Sequence, residues 1–226
     1  MTHRFTLRQD DRRIDITFDD GGMNLLSSVA LEELGQAIRQ LQTVNCELLT
    51  FRSGRADLFA AGADMSEMQR FTQHEAEEFS RAGQELFETI EQLPMLTLAF
   101  IDGDCFGGAL DLAMAFDLRF ATPRSRFSHP GGRLGIITGF GGTSRWRSVV
   151  TPAVARRLFI GNEVLTASQA LEGGLVDRIA EQLDDLDVDT SSVRPVKELV
   201  LHAARLSQRQ LVDLSRHLDR LYHSRR

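Results

Sequence analysis

Residues 96–120 read LTLAFIDGDCFGGALDLAMAFDLRF, and the fold is decided there. The apolar run Leu96-Thr97-Leu98-Ala99-Phe100-Ile101 lies between Pro94 and Gly103. It has the length and bounds of a buried strand, although periodicity alone leaves a helix open. Gly107 and Gly108 follow, and Ala109 to Phe116 consists mostly of good helix formers. The order is strand, glycine-rich turn, helix. Such a turn leaves unpaired N–H groups at a helix N-terminus, where the dipole also favours negative charge. It can hold a phosphate, a carboxylate or a developing oxyanion. It can equally be a tight turn in which glycine only permits close packing.

Upstream, Phe5 to Arg8 and Ile14 to Phe18 alternate about Gln9-Asp10-Asp11, which predicts a hairpin. Ser27 or Ser28 caps a helix to about Gln42, with Val29, Leu31, Leu34, Ile38 and Leu41 at helical spacing. Glu47 to Phe51 is a short apolar strand. Thr72-Gln73-His74-Glu75 has capping-box form and opens a helix that must end near Leu93-Pro94.

Downstream, Arg126-Phe127-Ser128 is a short strand and Gly131 to Gly142 a glycine-rich loop. Thr151-Pro152 starts a helix that Gly161 stops. Thr166 to Gln169 opens a shorter one closed by Gly173-Gly174. After an acidic, loop-like stretch at 181–192, apolar positions 199, 200, 203 and 206 predict a helix. Leu211, Leu214, Leu218 and Leu221 predict another, with Arg209, Arg216 and Arg220 on its solvated side. Strands separated by helices imply an α/β layered domain.

The chain has 226 residues, enough for one large domain or two small ones. Hydrophobic content of 42% and charged content of 26% describe an ordinary globular protein. A net charge of −6 gives no reason to expect nucleic acid, and no basic tract suggests a membrane surface. Cys46 and Cys105 lack ligand or CxxC spacing, so reduced thiols in a cytoplasmic setting are expected. The start, MTHRFTLRQDDRR, has no apolar core for a signal peptide, and no apolar run approaches the roughly 20 residues of a membrane span. There is no HExxH, no paired histidines at ligand spacing, no GxxxxGK[ST] and no GxSxG, and the glycines of 135–142 do not fit GxGxxG. No metal site is expected.

Four short motifs, in order, resemble the enoyl-CoA hydratase/isomerase (crotonase) superfamily over roughly residues 5–180. They are Phe59-Ala60-Ala61-Gly62-Ala63-Asp64-Met65, then Ile101-Asp102-Gly103 with Gly107 to Ala113, then Phe127 to Gly135 with Gly141-Gly142-Thr143, and lastly Leu165 to Ala170 with Gly174-Leu175-Val176-Asp177. The resemblance implies a spiral core of ββα repeats over 1–180, with a shortened helical C-terminal region over 181–226. It further implies a homotrimer or hexamer, an acyl-CoA thioester as substrate, and no cofactor other than the coenzyme A of that substrate.

The chemistry it implies is an oxyanion hole for a thioester enolate, formed by the N–H groups of Ala63 and Gly108. Ala61, Gly62, Ala63, Asp64, Gly107 and Gly108 make up the segments that hold the thioester. Small residues there let the backbone approach the thioester oxygen. Hydratases of the family use two glutamates, and the matching positions here are Asp111 and Gly131. Adding water across a double bond wants one group for the water and another for the Cα proton. Asp111 is therefore the expected single acid/base, and ordinary hydration is not expected. An aspartate in a first helical turn also suits the dipole without catalysis. His129, beside the vacated position, is a further catalytic candidate, since histidine is a common general acid/base, or a turn residue before proline. Asp64 also reads as a cap, and Cys105 as a small buried residue. A non-catalytic acyl-CoA binder and a decarboxylase of malonyl-type thioesters are the alternatives.

Overall fold

The computed structural model describes residues 4–10, 12–183 and Lys197. The chain opens with β1 (Phe5–Gln9) and β2 (Arg13–Phe18), paired antiparallel with Phe5 opposite Phe18. Asp10 closes the turn by accepting from Arg12 N at 3.0 Å and Arg13 N at 2.8 Å. Next come β3 (Leu25–Leu26) and α1 (Ser28–Leu41), whose N-cap is Ser27. The stripe of α1 on the core is Ala30, Leu31, Leu34, Ile38 and Leu41. Val29 departs from its expected place and is 48% exposed, because Ala30 takes the inward position in the first turn.

Three strands follow, β4 (Leu48–Ser53), β5 (Leu58–Ala60) and β6 (Gly62–Ala63), and then α2 (Met65–Met68) and α3 (Gln73–Glu91). The expected capping box forms at Thr72: its Oγ1 accepts from Glu75 N at 3.3 Å, and Glu75 Oε2 accepts from Thr72 N at 2.7 Å. In the deciding stretch, β7 (Leu96–Ile101) is buried along its whole length, as expected. The structure adds a strand the sequence reading lacked, β8 (Asp104–Phe106), before α4 (Gly108–Met114). Three residues between two glycine turns are too short for a period to show.

The remainder is β9 (Leu118–Ala121), β10 (Arg126–Ser128), a 3₁₀ turn at Pro130–Leu134, and α5 (Gly142–Val149). Then come α6 (Pro152–Ala155), running into a wider turn at Arg156–Ile160, β11 (Leu165–Thr166), α7 (Ala167–Glu172) and β12 (Arg178–Ile179). The expected caps Thr151 and Thr166 are both in place. The helices expected beyond residue 196, with Arg209, Arg216 and Arg220, lie outside the described residues.

One sheet has the order β1-β2-β4-β7-β9-β12 and a second β11-β10-β8-β5, while β3 pairs with β6. Apart from β1–β2 and β10–β11, all pairs are parallel. Phe18, Phe51, Phe59, Phe87 and Phe127 are fully buried in the main core, each contributing about 1.5–3 kcal/mol by leaving water. The buried Arg119 is fully answered: it donates to Leu175 O at 2.8 Å and to Phe116 O at 2.5 Å, and lies 3.2 Å from Asp177 Oδ2. That clips β9 to the segment entering β12.

This topology builds the site. β7 leaves the large sheet at Ile101 and β8 continues in the small one, ending at the glycine turn before α4. β10 runs parallel to β8 with Ser128 opposite Phe106, so His129 arrives beside that turn.

Candidate active site

Gly107 has φ 54° and ψ −126°, a backbone state essentially confined to glycine. It turns the chain so that Gly108 opens α4 with its N–H unused by the helix ladder. Leu110 N, by contrast, donates to Gly107 O at 2.9 Å. On the facing strand Gly62 has φ 106°. A Cβ there would stand 2.7 Å from Phe106 O and 3.1 Å from Gly108 N. A Cβ on Gly108 would stand 3.3 Å from Ala63 N. The two backbones therefore touch, and the N–H groups of Ala63 and Gly108 are neighbours with no side chain between them.

A cavity of about 290 Å³ opens there. Its lining includes Ala61, Ala63, Gly107, Gly108, Asp111 and His129, and its walls are largely apolar, with Met65, Phe79, Ile136 and Phe140 among them. Gly62 and Asp64 are not part of the lining. Asp64 instead caps α2, accepting from Ser66 N at 2.9 Å and Glu67 N at 3.1 Å. The Ser66 hydroxyl and these amides hold its carboxyl below the usual carboxylate range.

Asp111 is fully buried in the first turn of α4. The Thr138 hydroxyl donates to its Oδ2. Its Oδ1 lies 3.5 Å from His129 Nε2. Both of these last atoms are buried and have no hydrogen-bond partner among the described residues. Buried polar atoms are nearly always paired, so two orphans facing each other in a cavity need an explanation. Their 3.5 Å separation is just beyond a hydrogen bond and too short to admit an atom between them, so a small shift, or a ligand atom approaching both from the cavity side, would pair them. The His129 ring is steadied by Phe159, with centroids 4.9 Å apart.

Gly131 also lines the cavity but offers no functional group. Its carbonyl accepts from Ile136 N at 2.9 Å, and a Cβ would stand 2.7 Å from Ile136 O. The turn is too tight there for a side chain. Cys105 lies buried under the site; burial pushes its thiol well up, and the charges of Asp111 and Asp104 push the same way. It is held as a thiol and is no nucleophile.

Two contributors escaped the sequence reading. Thr138 stands 27 positions after Asp111 within the glycine-rich stretch, where no spacing signals a contact. Phe140, in the same stretch, packs edge-on against Phe79 and Phe87, with centroids 5.1 and 5.6 Å away, and forms part of the cavity wall.

The chain is 35% identical over 160 residues to a crotonyl-CoA hydratase of Syntrophomonas wolfei, covering 70% of this chain and 62% of that protein. It is 33% identical over 160 residues to a short-chain-enoyl-CoA hydratase of Clostridium acetobutylicum, covering 70% and 61%. It thus spans about three-fifths of the length of the curated relatives it matches. The crystal structure of an enoyl-CoA hydratase from Bacillus anthracis superposes with a TM-score of 0.86 at 23% identity, covering 95% of this chain and 89% of that one, a likeness of fold. Residues 12–220 match the family described as enoyl-CoA hydratase/isomerase, and the chain belongs to that family and has its crotonase fold.

Proposed function

We propose that the protein acts on an acyl-CoA thioester through an enolate, with Asp111 as its acid/base. The observation that carries this reading is a fully buried carboxylate with one unpartnered oxygen, in the same cavity as Ala63 and Gly108. The thioester carbonyl accepts from the two N–H groups. Asp111 Oδ1 takes a proton from carbon, and the C–H electron pair becomes an enolate whose charge rests on the thioester oxygen. Each preorganised donor is worth about 2.7–4 kcal/mol, on the order of 10²–10³ in rate. The apolar walls exclude water and strengthen both donors. His129, across from Oδ1, is the second group able to carry a proton.

The two relatives, named as a crotonyl-CoA hydratase and a short-chain-enoyl-CoA hydratase, support the thioester as ligand, with coenzyme A entering as part of the substrate. Gly131 argues against ordinary hydration, because the second carboxylate of the hydratases has no counterpart there. It also favours a second reading, a non-catalytic acyl-CoA binder. A decarboxylase of malonyl-type thioesters needs the same enolate stabilisation with less help from a base. A cytoplasmic homotrimer or hexamer belongs to this reading on family likeness alone.

The test is hydrogen–deuterium exchange at Cα of butyryl-CoA in D₂O, followed by mass, with Asp111→Asn as control. Uptake that the variant loses supports the enolate reading. Binding without uptake overturns Asp111 as α-proton base and leaves the binder and the decarboxylase, which malonyl-type thioesters then separate.

A further inference from the structure

We propose that Thr138 is the positioning residue for the proton-transferring carboxylate: its hydroxyl holds Asp111 Oδ2, so that Oδ1 alone faces the ligand, opposite His129 Nε2. The inference rests on the reading of Asp111 as the acid/base. A carboxylate turns about a broad, two-fold torsion, and an aspartate with two free oxygens has no fixed basic atom. Here the two oxygens differ. Oδ2 accepts from Thr138 Oγ1, whereas Oδ1 is buried and unpartnered.

The direction of the Thr138 hydroxyl is set from behind. Phe140 N donates to Thr138 Oγ1 at 3.4 Å, which occupies a lone pair and leaves the hydroxyl proton for Asp111. The ionisable groups that face the carboxylate are His129 from the end of β10 and Cys105 from β8, the latter kept as a thiol by burial. His129 approaches Oδ1, the oxygen that Thr138 does not hold. Gly142 lies against the same carboxylate from α5, where it offers no hydrogen atom to donate from a side chain. Thr138 also belongs to the segment that walls the cavity, so the residue orienting the base sits in the loop that touches the ligand. In the exchange step Asp111 Oδ1 receives the Cα proton, the C–H electron pair forms the enolate, and a solvent deuteron returns by the same oxygen. A carboxylate free to turn would lose this alignment while ligand binding stayed intact.

Thr138→Val removes the hydroxyl and keeps the branched shape, whereas Thr138→Ser keeps the hydroxyl. With butyryl-CoA in D₂O, the valine variant is expected to lose roughly 10- to 100-fold in the exchange kcat with KM within about twofold of wild type. The serine variant is expected to recover to within about threefold. A valine variant with unchanged kcat, or a serine variant no better than valine, overturns the positioning role. If the wild-type protein exchanges nothing, the reading of Asp111 as base fails by itself. Thr138 is then decided by crystal structures of wild type and Thr138→Val: a turned Asp111 carboxylate in the variant supports the proposal, and an unchanged one overturns it.

Discussion

Gly142 lies flat against Asp111: a Cβ on Gly142 would stand 2.6 Å from Asp111 Cγ, closer still to Oδ1, and 3.2 Å from Thr138 Cγ2. The backbone of Gly142 is not in the left-handed region, so alanine is conformationally acceptable and the obstacle is steric. Overpacking of this kind costs about 1–3 kcal/mol. A displacement of about 1 Å in a reacting group costs on the order of 10²-fold in rate. Gly142→Ala is therefore expected to destabilise the fold by about 1–3 kcal/mol in urea melts. It should also reduce Cα exchange on butyryl-CoA by about 10²-fold. Unchanged stability together with unchanged exchange would refute this packing.

Gly83 tests the other side of the cavity wall. It lies within α3, where alanine normally gains about 0.5–1 kcal/mol over glycine. A Cβ on Gly83, however, would stand 2.6 Å from Phe140 Cε1 and 2.9 Å from its Cγ. Phe140 cannot retreat easily, because its ring is already packed edge-on against Phe79 and Phe87, with centroids 5.1 and 5.6 Å away. The steric cost of about 1–3 kcal/mol exceeds the helix gain, so Gly83→Ala is expected to lower stability in denaturant unfolding. A more stable variant would mean that Phe140 has room to move.

Gly131→Glu restores the carboxylate that hydratases of the family carry, and the obvious expectation is a gain of hydration. The geometry opposes it. The new Cβ would meet Ile136 O at 2.7 Å, inside the turn closed by Ile136 N and Gly131 O. To fit, the segment that carries Thr138 must shift. Crotonyl-CoA hydration, followed by loss of enoyl absorbance, is expected not to rise above that of the unmodified protein. A tenfold or greater gain, on the order of 1.4 kcal/mol, would show that the turn accommodates the side chain without disturbing Asp111.

Much of this architecture is local chemistry, and local chemistry is legible. Ser27, Thr72 and Thr166 name helix starts because a hydroxyl three residues before an amide is a short-range fact. Leu96 to Ile101 announces a buried strand because no polar residue but Thr97 interrupts it, and that threonine meets Asp117 at 2.8 Å. The Gly107–Gly108 turn was readable for the same reason. The pairing of Asp111 with Thr138 and His129 was not, since those contacts join α4 to residues 27 and 18 positions away, the latter counted from 111 to 129. His129 is brought close by β8 and β10 running side by side, and Thr138 by the return of the glycine-rich stretch that follows. Strand β8, three residues long, has no period of its own to read. Gly131 was visible as a missing side chain, but only the closeness of Ile136 O explains why none fits.

Lys197 carries a prediction with a definite sign. Its Nζ is buried, 2.6 Å from Asp117 Oδ2 and 2.9 Å from Met95 O, at the entrances of β9 and β7. Burial lowers its pKa from the ordinary lysine value of 10.5, and the attraction of Asp117 only partly offsets this. Below the lowered folded pKa both folded and unfolded chains hold the proton, and stability does not depend on it. Between that pKa and 10.5 the unfolded chain holds a proton the folded chain has released, so stability rises with pH. Relative to Lys197→Met, the wild-type protein is expected to gain stability as urea melts are taken from pH 7 towards 10.5. Lys197→Met removes only one partner and leaves Asp117 Oδ2 and Met95 O without their cationic donor, so at pH 7 the methionine variant should be less stable than wild type. Wild type losing ground to the variant as pH rises would instead show that the ion pair with Asp117 outweighs the cost of burying the charge.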